Sequence, residues 1–505
     1  MATAPILEHR TIGASGHPLT EEQERIIALP PTETRKWMAF AGCAKTTTSV
    51  EYTHAHPMPA LYLAFNKSIA SDAKGRFPSY VHVQTAHGYA FSQMDVRRYD
   101  DRHMMYSMKP EHLDPVADRI RPMSRMTDVA MRRAILKCLT AYVISSDTAF
   151  GEKHMDGFPI ALRGAALSMT KHVIERILSF EDSGMMFNPD VYLKAFQLRG
   201  RIEEKFRYII LDEAQDLNPV LIAIAKQSGV PCMVVGDPHQ SIYRFRGAEQ
   251  AMDHFPGEAL TLSHSFRFGP KVASVANFLL KQSTNRPDHP LMGNPAKDTK
   301  VQAYEGSLKG RATILARTNM RIFESLVQIP HTFHVVGGVK EMIDLVEAGY
   351  HLWCESKGKR AMGQKPFNPK MVKFKSWDAV VESSEHDEEP ELIRLVKIMD
   401  AYQEKVPEII KGLRERSCDQ EEDARFIVST AHKAKGREWE TVVLLDDYFT
   451  PGQLRAMRAK KRITSLEYDQ EINLLYVAAT RAIGMLMISA PLFDEIAAGT
   501  GLPRY

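Results

Sequence analysis

At 505 residues, with 44% hydrophobic and 25% charged side chains, the chain has room for roughly three or four structural units and the composition of an ordinary globular protein. A net charge of +3 excludes recognition of nucleic acid by a globally basic surface, leaving local patches to do it. Cys43, Cys138, Cys232, Cys354 and Cys418 form no CxxC pair, which argues against structural zinc or a disulfide framework and for a reducing compartment.

Short apolar runs bounded by turn residues recur along the chain with helical stretches between them, the pattern of parallel α/β layers. Candidate buried strands are Trp37–Phe40, Ala60–Phe65, Val81–Thr85, Tyr208–Asp212, Met233–Gly236 and Leu260–Ser263. A second series comprises Ala312–Ala316, Thr332–Val336, Phe426–Ser429, Thr441–Leu445 and Met485–Ser489. Two series imply two doubly wound sheets. The stretch 90–200 is rich in Met, Arg and Leu at helical spacing, and 340–422 mixes helical patterns with an acidic run, Glu382–Glu391, read as a solvated loop. No run of about 18 apolar residues suggests a membrane span. The first residues lack the layout of a secretion signal, so a cytoplasmic or nucleoid-associated protein is expected, or one of the host cytoplasm if phage-encoded.

Ala39-Phe40-Ala41-Gly42-Cys43-Ala44-Lys45-Thr46-Thr47 follows the first strand and opens a helix. Small residues let backbone N–H groups approach an anion at the positive end of a helix, with Lys45 reaching the outer phosphates and Thr46 placed for magnesium. Alone, the segment reads equally well as a small-residue strand-to-helix turn. Ala44 stands where glycine normally precedes the lysine, which is harmless for ordinary dihedrals and costly at positive φ. Roughly 170 residues on, Tyr208–Leu211 runs into Asp212-Glu213-Ala214-Gln215-Asp216. Adjacent carboxylates at a strand end suit a metal ligand (Asp212) beside a general base (Glu213). The strand Met233–Gly236 leads into Asp237-Pro238-His239-Gln240, whose amide could sense a phosphate. Tyr243, Arg244, Phe245 and Arg246 then offer rings and cations for bases and phosphates. Arg267 and Arg481 fit a transition-state clamp, worth roughly 10³–10⁵ in rate where arginines serve phosphoryl transfer.

In this order, from Leu19 to Ala482, the blocks resemble superfamily 1 DNA helicases of the UvrD/Rep/PcrA type. Phe65-Asn66-Lys67, the block from Gly236 to Ala248, Ser265–Gly269 and Thr430–Gly436 are most like the F-box DNA helicase branch, in the motor part only. The resemblance implies two RecA-like P-loop motor domains with parallel sheets, each carrying a mainly helical insertion. Residues 1–89 and 201–275 would form the first motor, 90–200 its insertion, 276–339 and 423–505 the second motor, and 340–422 a small insertion.

It implies ATP and Mg²⁺ as cofactors. Gln23, Gly42, Cys43, Ala44, Lys45, Thr46, Thr47, Phe266 and Glu438 would bind the nucleotide, with Thr46 and Asp212 on the metal and Glu213, Gln240, Arg267 and Arg481 catalytic. Asn66, Thr85, His87, Tyr243, Phe245, Arg246, Thr430 and His432 would line a single-strand groove. The implied activity is a monomeric motor moving 3′ to 5′ on single-stranded DNA and opening single-strand/duplex junctions, with weakened nucleotide binding because of Ala44 and the bulky Phe40. Two other readings stay open. One is a translocase that strips recombinase filaments or replication proteins, and the other a nucleotide-gated DNA-binding protein with weak ATPase. The basic cluster Arg455, Arg458, Lys460, Lys461 and Arg462 reads equally as a DNA-backbone contact or a solvated loop.

Overall fold

The computed structural model describes residues 11–14, 16–94, 108–123, 126–180, 188–243, 251–308, 310–361, 363–386 and 389–504. They divide into two units. One gathers the described residues up to Phe40 and from Ala44 to Leu262, the other Ala41–Cys43 and the described residues from Ser263 on.

The first unit is built on strands β1 (Arg35–Ala39), β2 (Ala60–Ala64), β3 (Val81–Thr85), β4 (Tyr208–Leu211), β5 (Cys232–Gly236) and β6 (Ala259–Leu262). All pair in parallel, in the order β3-β2-β4-β5-β1-β6. Strands β2, β4 and β5 are buried along their whole length, which is why they read as unbroken apolar runs and not as alternations. Helices α1 (Glu21–Ala28), α2 (Lys45–Ala55), α3 (Lys67–Lys74) and α4 (Ala86–Gln93) flank the early strands. The later stretch supplies α5 (Asp128–Val143), α6 (Ile160–Ser179) and α7 (Pro189–Arg199). Their apolar faces share one core with the sheet, for Ile135, Leu139, Ile174 and Phe196 cluster with Leu61, Ile209 and Val234.

The second unit repeats the plan with β7 (Lys300–Tyr304), β8 (Ala312–Ala316), β9 (Phe333–Val335), β10 (Phe426–Thr430), β11 (Trp439–Leu444) and β12 (Ala482–Ser489). These too are parallel, in the order β7-β12-β11-β8-β10-β9. The helices of 340–416 join the sheet in a single core, where Val346, Leu395 and Leu413 meet Ile314 and Val428. The molecule is thus α/β with two parallel sheets, each accompanied by helices inserted between strands.

Two expectations need correcting. Strand β7 had no counterpart in the sequence reading. It is an edge strand paired on one side only, and it alternates buried Val301 and Ala303 with more exposed Lys300, Gln302 and Tyr304, so it offers no apolar run. The acidic stretch read as a loop is largely helical: Glu382 and Glu385 lie on the helix Trp377–His386, whose Trp377 and Val380 are buried, and Glu391 opens the helix Pro390–Tyr402. Glu391 is itself buried and pairs with Lys370. Asp387 and Glu388 lie outside the described residues.

Helix α7 is anchored by a buried cation. Lys194 is 0% exposed. Its ammonium donates to the carbonyl of Ser145 at 3.0 Å, to that of Asp147 and to Gln197 Oε1 at 2.7 Å, 4.3 Å from the centre of the Tyr142 ring. Burial lowers its pKa to about 8, opposed by Asp147 and reinforced by Lys153. The folded chain therefore gives up this proton near 8, while the unfolded chain holds it to about 10.4. Stability must rise with pH across that window, by at most on the order of 3 kcal/mol. In urea titrations at about pH 7.5 and about pH 10, the wild-type midpoint is expected to rise relative to that of Lys194→Met. Parallel behaviour of the two proteins would show that Lys194 titrates like a surface lysine.

Candidate functional site

The carboxyl ends of β1, β4 and β5 bring together the residues with the strongest chemical signals in the sequence. Lys45 opens α2, and its Nζ lies 3.0 Å from Glu213 Oε1, with both side chains nearly buried. Asp212, at the end of β4, is 3% exposed. Its Oδ1 accepts the Glu213 N–H at 3.0 Å, and its Oδ2 accepts the Tyr62 hydroxyl at 2.5 Å. Asp237 follows β5, fully buried. One of its carboxylate oxygens accepts the His239 N–H at 3.0 Å and the other the Gln240 side-chain amide at 2.8 Å. Gln215 ties these pieces together, donating to Glu213 Oε2 at 2.5 Å and accepting the Asp237 N–H at 3.0 Å. A Cβ at Gly236 would lie 2.4 Å from the side-chain oxygen Oε1 of Gln215, so only glycine lets that amide approach.

One ammonium thus faces three carboxylates. Burial alone would lower the Lys45 pKa, but Glu213, Asp212 and Asp237 overcome it and hold the ammonium above its usual value. Burial and the neighbouring Glu213 charge push Asp212 up to about 6, against the pull of Lys45 and Tyr62. The surplus is negative and buried, an environment suited to a cation of higher charge. Mg²⁺ needs few protein ligands because it keeps waters and shares phosphate oxygens, so one carboxylate and one hydroxyl fit it. Asp212, which accepts the Tyr62 hydroxyl, and Thr46, next to Lys45, could supply that pair.

The loop before Lys45 is strained. Ala44 has φ +55 and ψ +39, left-handed geometry that costs an L-residue roughly 1–2 kcal/mol. Ala44 is the N-cap of α2 and makes no side-chain capping bond, so the first-turn N–H groups of α2 point to the strand end without a side-chain acceptor from the cap. Thr47 accepts a hydrogen bond from Arg76 at 2.8 Å. Gly42, in the second unit, has φ +76, and a Cβ there would come within 2.8 Å of the Arg267 Cβ. The Gly42 carbonyl accepts the Phe266 N–H at 2.8 Å, Phe266 itself being 39% exposed, and Cys43 is buried.

Gln23 is the third residue of α1 and completes a capping box with Thr20. Its side chain accepts the Thr20 N–H at 3.0 Å and donates to Thr48 at 2.9 Å. That amide is committed to the helix end in this structure. In the second unit, Arg267 donates to Glu438 at 2.5 Å and to the Thr480 carbonyl at 3.0 Å. Arg481 is almost wholly buried, donating to the carbonyls of Val477 and Arg437 at 2.8 and 3.2 Å and to the Thr480 hydroxyl at 3.0 Å.

Among the positions assigned to nucleic acid, Asn66, Thr85 and Thr430 are N-caps, each following a parallel strand and accepting an N–H from the helix it starts: Ile69, Gly88 and Lys433 respectively. His87 lies 3.0 Å from Asp190 on α7. The Tyr243 ring stacks on Phe65, centroids 6.2 Å apart at 18°, beside Asn66. His432 follows Thr430 and is half-buried. Phe245 and Arg246 lie outside the described residues.

The UvrD/REP helicase N-terminal domain profile matches residues 123–253, and the UvrD-like helicase C-terminal domain profile matches 355–491. The chain belongs to the UvrD-like helicase family. F-box DNA helicase protein 1 of Schizosaccharomyces pombe is 30% identical over 96% of this chain and 59% of its own length. F-box DNA helicase 1 of Gallus gallus is 27% identical over 94% of this chain and 49% of its own. The ATP-dependent DNA helicase PcrA of Bacillus subtilis is 27% identical over 30% of this chain and 26% of its own. The chain therefore spans between half and three fifths of the two F-box relatives. Both sheets have the RecA-like layout of the family. Among the described residues, no helix is long and apolar enough to cross a membrane.

For this UvrD-like chain, the sequence reading overlooked Tyr62, Gln215 and Asp237 as site residues. Gln215 and Asp237 stood inside quoted motifs, and the adjacency of polar side chains to Glu213 and Gln240 was the available signal. Tyr62 carried no signal beyond being the one hydroxyl in an apolar strand. The strain at Ala44 is testable without any ligand. Ala44→Gly is expected to stabilise the protein by about 1 kcal/mol, seen as a higher melting temperature; an unchanged or lower value would show that the loop bears no such strain.

Proposed function

We propose that the chain is an ATP-driven motor that moves 3′ to 5′ along single-stranded DNA and separates duplex at single-strand/duplex junctions. The observation that carries this reading is the buried cluster of Lys45, Glu213, Asp212 and Asp237 at the carboxyl end of a parallel sheet, in a chain of the UvrD-like helicase family. Lys45 would exchange Glu213 for the outer phosphates of ATP, and Glu213, released, would accept the proton of the attacking water. Magnesium, held by Thr46 and Asp212, would neutralise phosphate charge. Gln240, already oriented by Asp237, would sense the terminal phosphate.

Arg267 and Arg481 are proposed as the arginines that stabilise the transition state, Arg267 leaving Glu438 to do so. Gln23, Gly42, Cys43, Ala44, Thr47, Phe266 and Glu438 would complete the nucleotide contacts. Asn66, Thr85, His87, Tyr243, Phe245, Arg246, Thr430 and His432 are proposed to meet the strand. Rings such as Tyr243 supply sequence-tolerant stacking of about 1–3 kcal/mol per base. The Asn66 Oδ1 is occupied in capping, so its contact with DNA would come from the amide NH₂.

The decisive measurement is ATP hydrolysis with and without single-stranded DNA. Wild type is expected to be stimulated, and Glu213→Gln to lose about 10²–10⁴-fold in rate while still binding ATP. A rate that stays at background with saturating DNA sinks the proposal. Unwinding of 3′-tailed but not 5′-tailed duplex is expected. If DNA-stimulated hydrolysis clears a recombinase filament without separating strands, the chain is instead a protein-stripping translocase, and stimulation by RNA alone would redirect the substrate.

A further inference from the structure

Strand β2 contains a single side chain with a hydroxyl, Tyr62. In the parallel register Tyr62 pairs with Ile210 of β4, and Asp212 lies two residues further along, on the same face. A leucine at that position would end short of Asp212; a tyrosine reaches it. The ring is fully buried and packs on Phe77 with centroids 4.6 Å apart. Its hydroxyl donates to Asp212 Oδ2 at 2.5 Å.

The Tyr62 hydroxyl is directed at Asp212 Oδ2. Asp212 in turn has Oδ2 fixed by Tyr62 and Oδ1 fixed by the Glu213 N–H. We propose that Tyr62 is a positioning residue that orients Asp212, the carboxylate ligand proposed for magnesium, and thereby sets the affinity of the nucleotide site for its divalent cation. This rests on the nucleotide-site reading above. Partners behind metal ligands fix their orientation, and losing one typically weakens metal binding about 10–100-fold.

The test compares the wild-type chain with Tyr62→Phe, which keeps the ring against Phe77 and deletes only the hydroxyl. Mn²⁺ serves as the probe, its binding to the ADP-bound protein followed by electron paramagnetic resonance. ADP binding in EDTA is measured by calorimetry. Tyr62→Phe is expected to weaken Mn²⁺ binding about 10–100-fold and to leave ADP binding in EDTA unchanged. Equal Mn²⁺ affinity in the two proteins overturns the assignment. A matching loss of ADP binding in EDTA also overturns it, because it would mark Tyr62 as a general packing residue. Failure of the wild type to bind ADP defeats the nucleotide-site reading itself, and is recognised before any substitution is made.

Discussion

The ammonium of Lys45 is the constraint around which the first sheet's carboxyl end is organised. Burying one charge is costly and burying four is tolerable only if each is answered. Here every carboxylate has assigned donors: Tyr62 and the Glu213 N–H for Asp212, Lys45 and Gln215 for Glu213, the His239 N–H and the Gln240 amide for Asp237. Three strands and the loops after them must hold register for this network to close. Yet the charge does not balance, three carboxylates to one ammonium, and burial together with the Glu213 charge raises the Asp212 carboxyl. Such a cluster is stable enough to preform and still attractive to further positive charge, which is the electrostatic condition for a site that takes up a metal with its anionic ligand.

The way helices begin distinguishes the turn before Lys45 from its neighbours. After β2, β3 and β10 the chain turns into a helix through Asn66, Thr85 and Thr430, and each cap oxygen satisfies an N–H of the first turn. After β1 the turn passes through Ala44, whose methyl caps nothing. Repeating one strand-to-helix turn with and without a capping side chain gives ends of two kinds. Capped ends are internally satisfied, with the side chain held in a fixed pose at the sheet's edge. The uncapped end keeps its amides for an anion. Both kinds sit at the carboxyl ends of parallel strands, where α/β sheets place ligands.

How much of this was legible in the sequence follows from burial and register. Strands such as β2, β4 and β5 announce themselves because both faces are covered and the run is apolar throughout. Strand β7, half-exposed at an edge, gives Lys300, Gln302 and Tyr304 to its open face and looks like a loop. Glu382 and Glu385 read as solvated acids because their helix shows its polar face in sequence, while Trp377 and Val380, which anchor it, lie outside the acidic run. Lys45, Asp212 and Glu213 stood out because each ends a strand or opens a helix within a local pattern. Tyr62 could not, since its meaning depends on which residue of β4 lies beside it, and pairing between strands about 150 residues apart is not written in either segment. Gln23 shows the converse. Its motif was visible, but its commitment to a capping box and to Thr48 emerges only from the fold.

Strain adds a last step. Two residues of the cluster's framework, Ala44 and Glu213, adopt left-handed geometry at φ +55 and +49, conformations that side-chain-bearing residues leave unless the surroundings over-determine them. They flank the two partners of the ion pair: Ala44 precedes Lys45, and Glu213 is the acid itself. Relaxing either backbone would swing its side chain out of line, so the pair at 3.0 Å and the strained turns hold one another. The Gln215 amide, wedged between Glu213 and the Asp237 N–H, resists the same relaxation from the other side. Geometry held this way is fixed by the fold, and a carboxylate aligned in advance needs no reorganisation when charge develops beside it. On this argument Ala44 is a cost carried by a rigid neighbourhood, and the surrounding hydrogen bonds are what make it bearable.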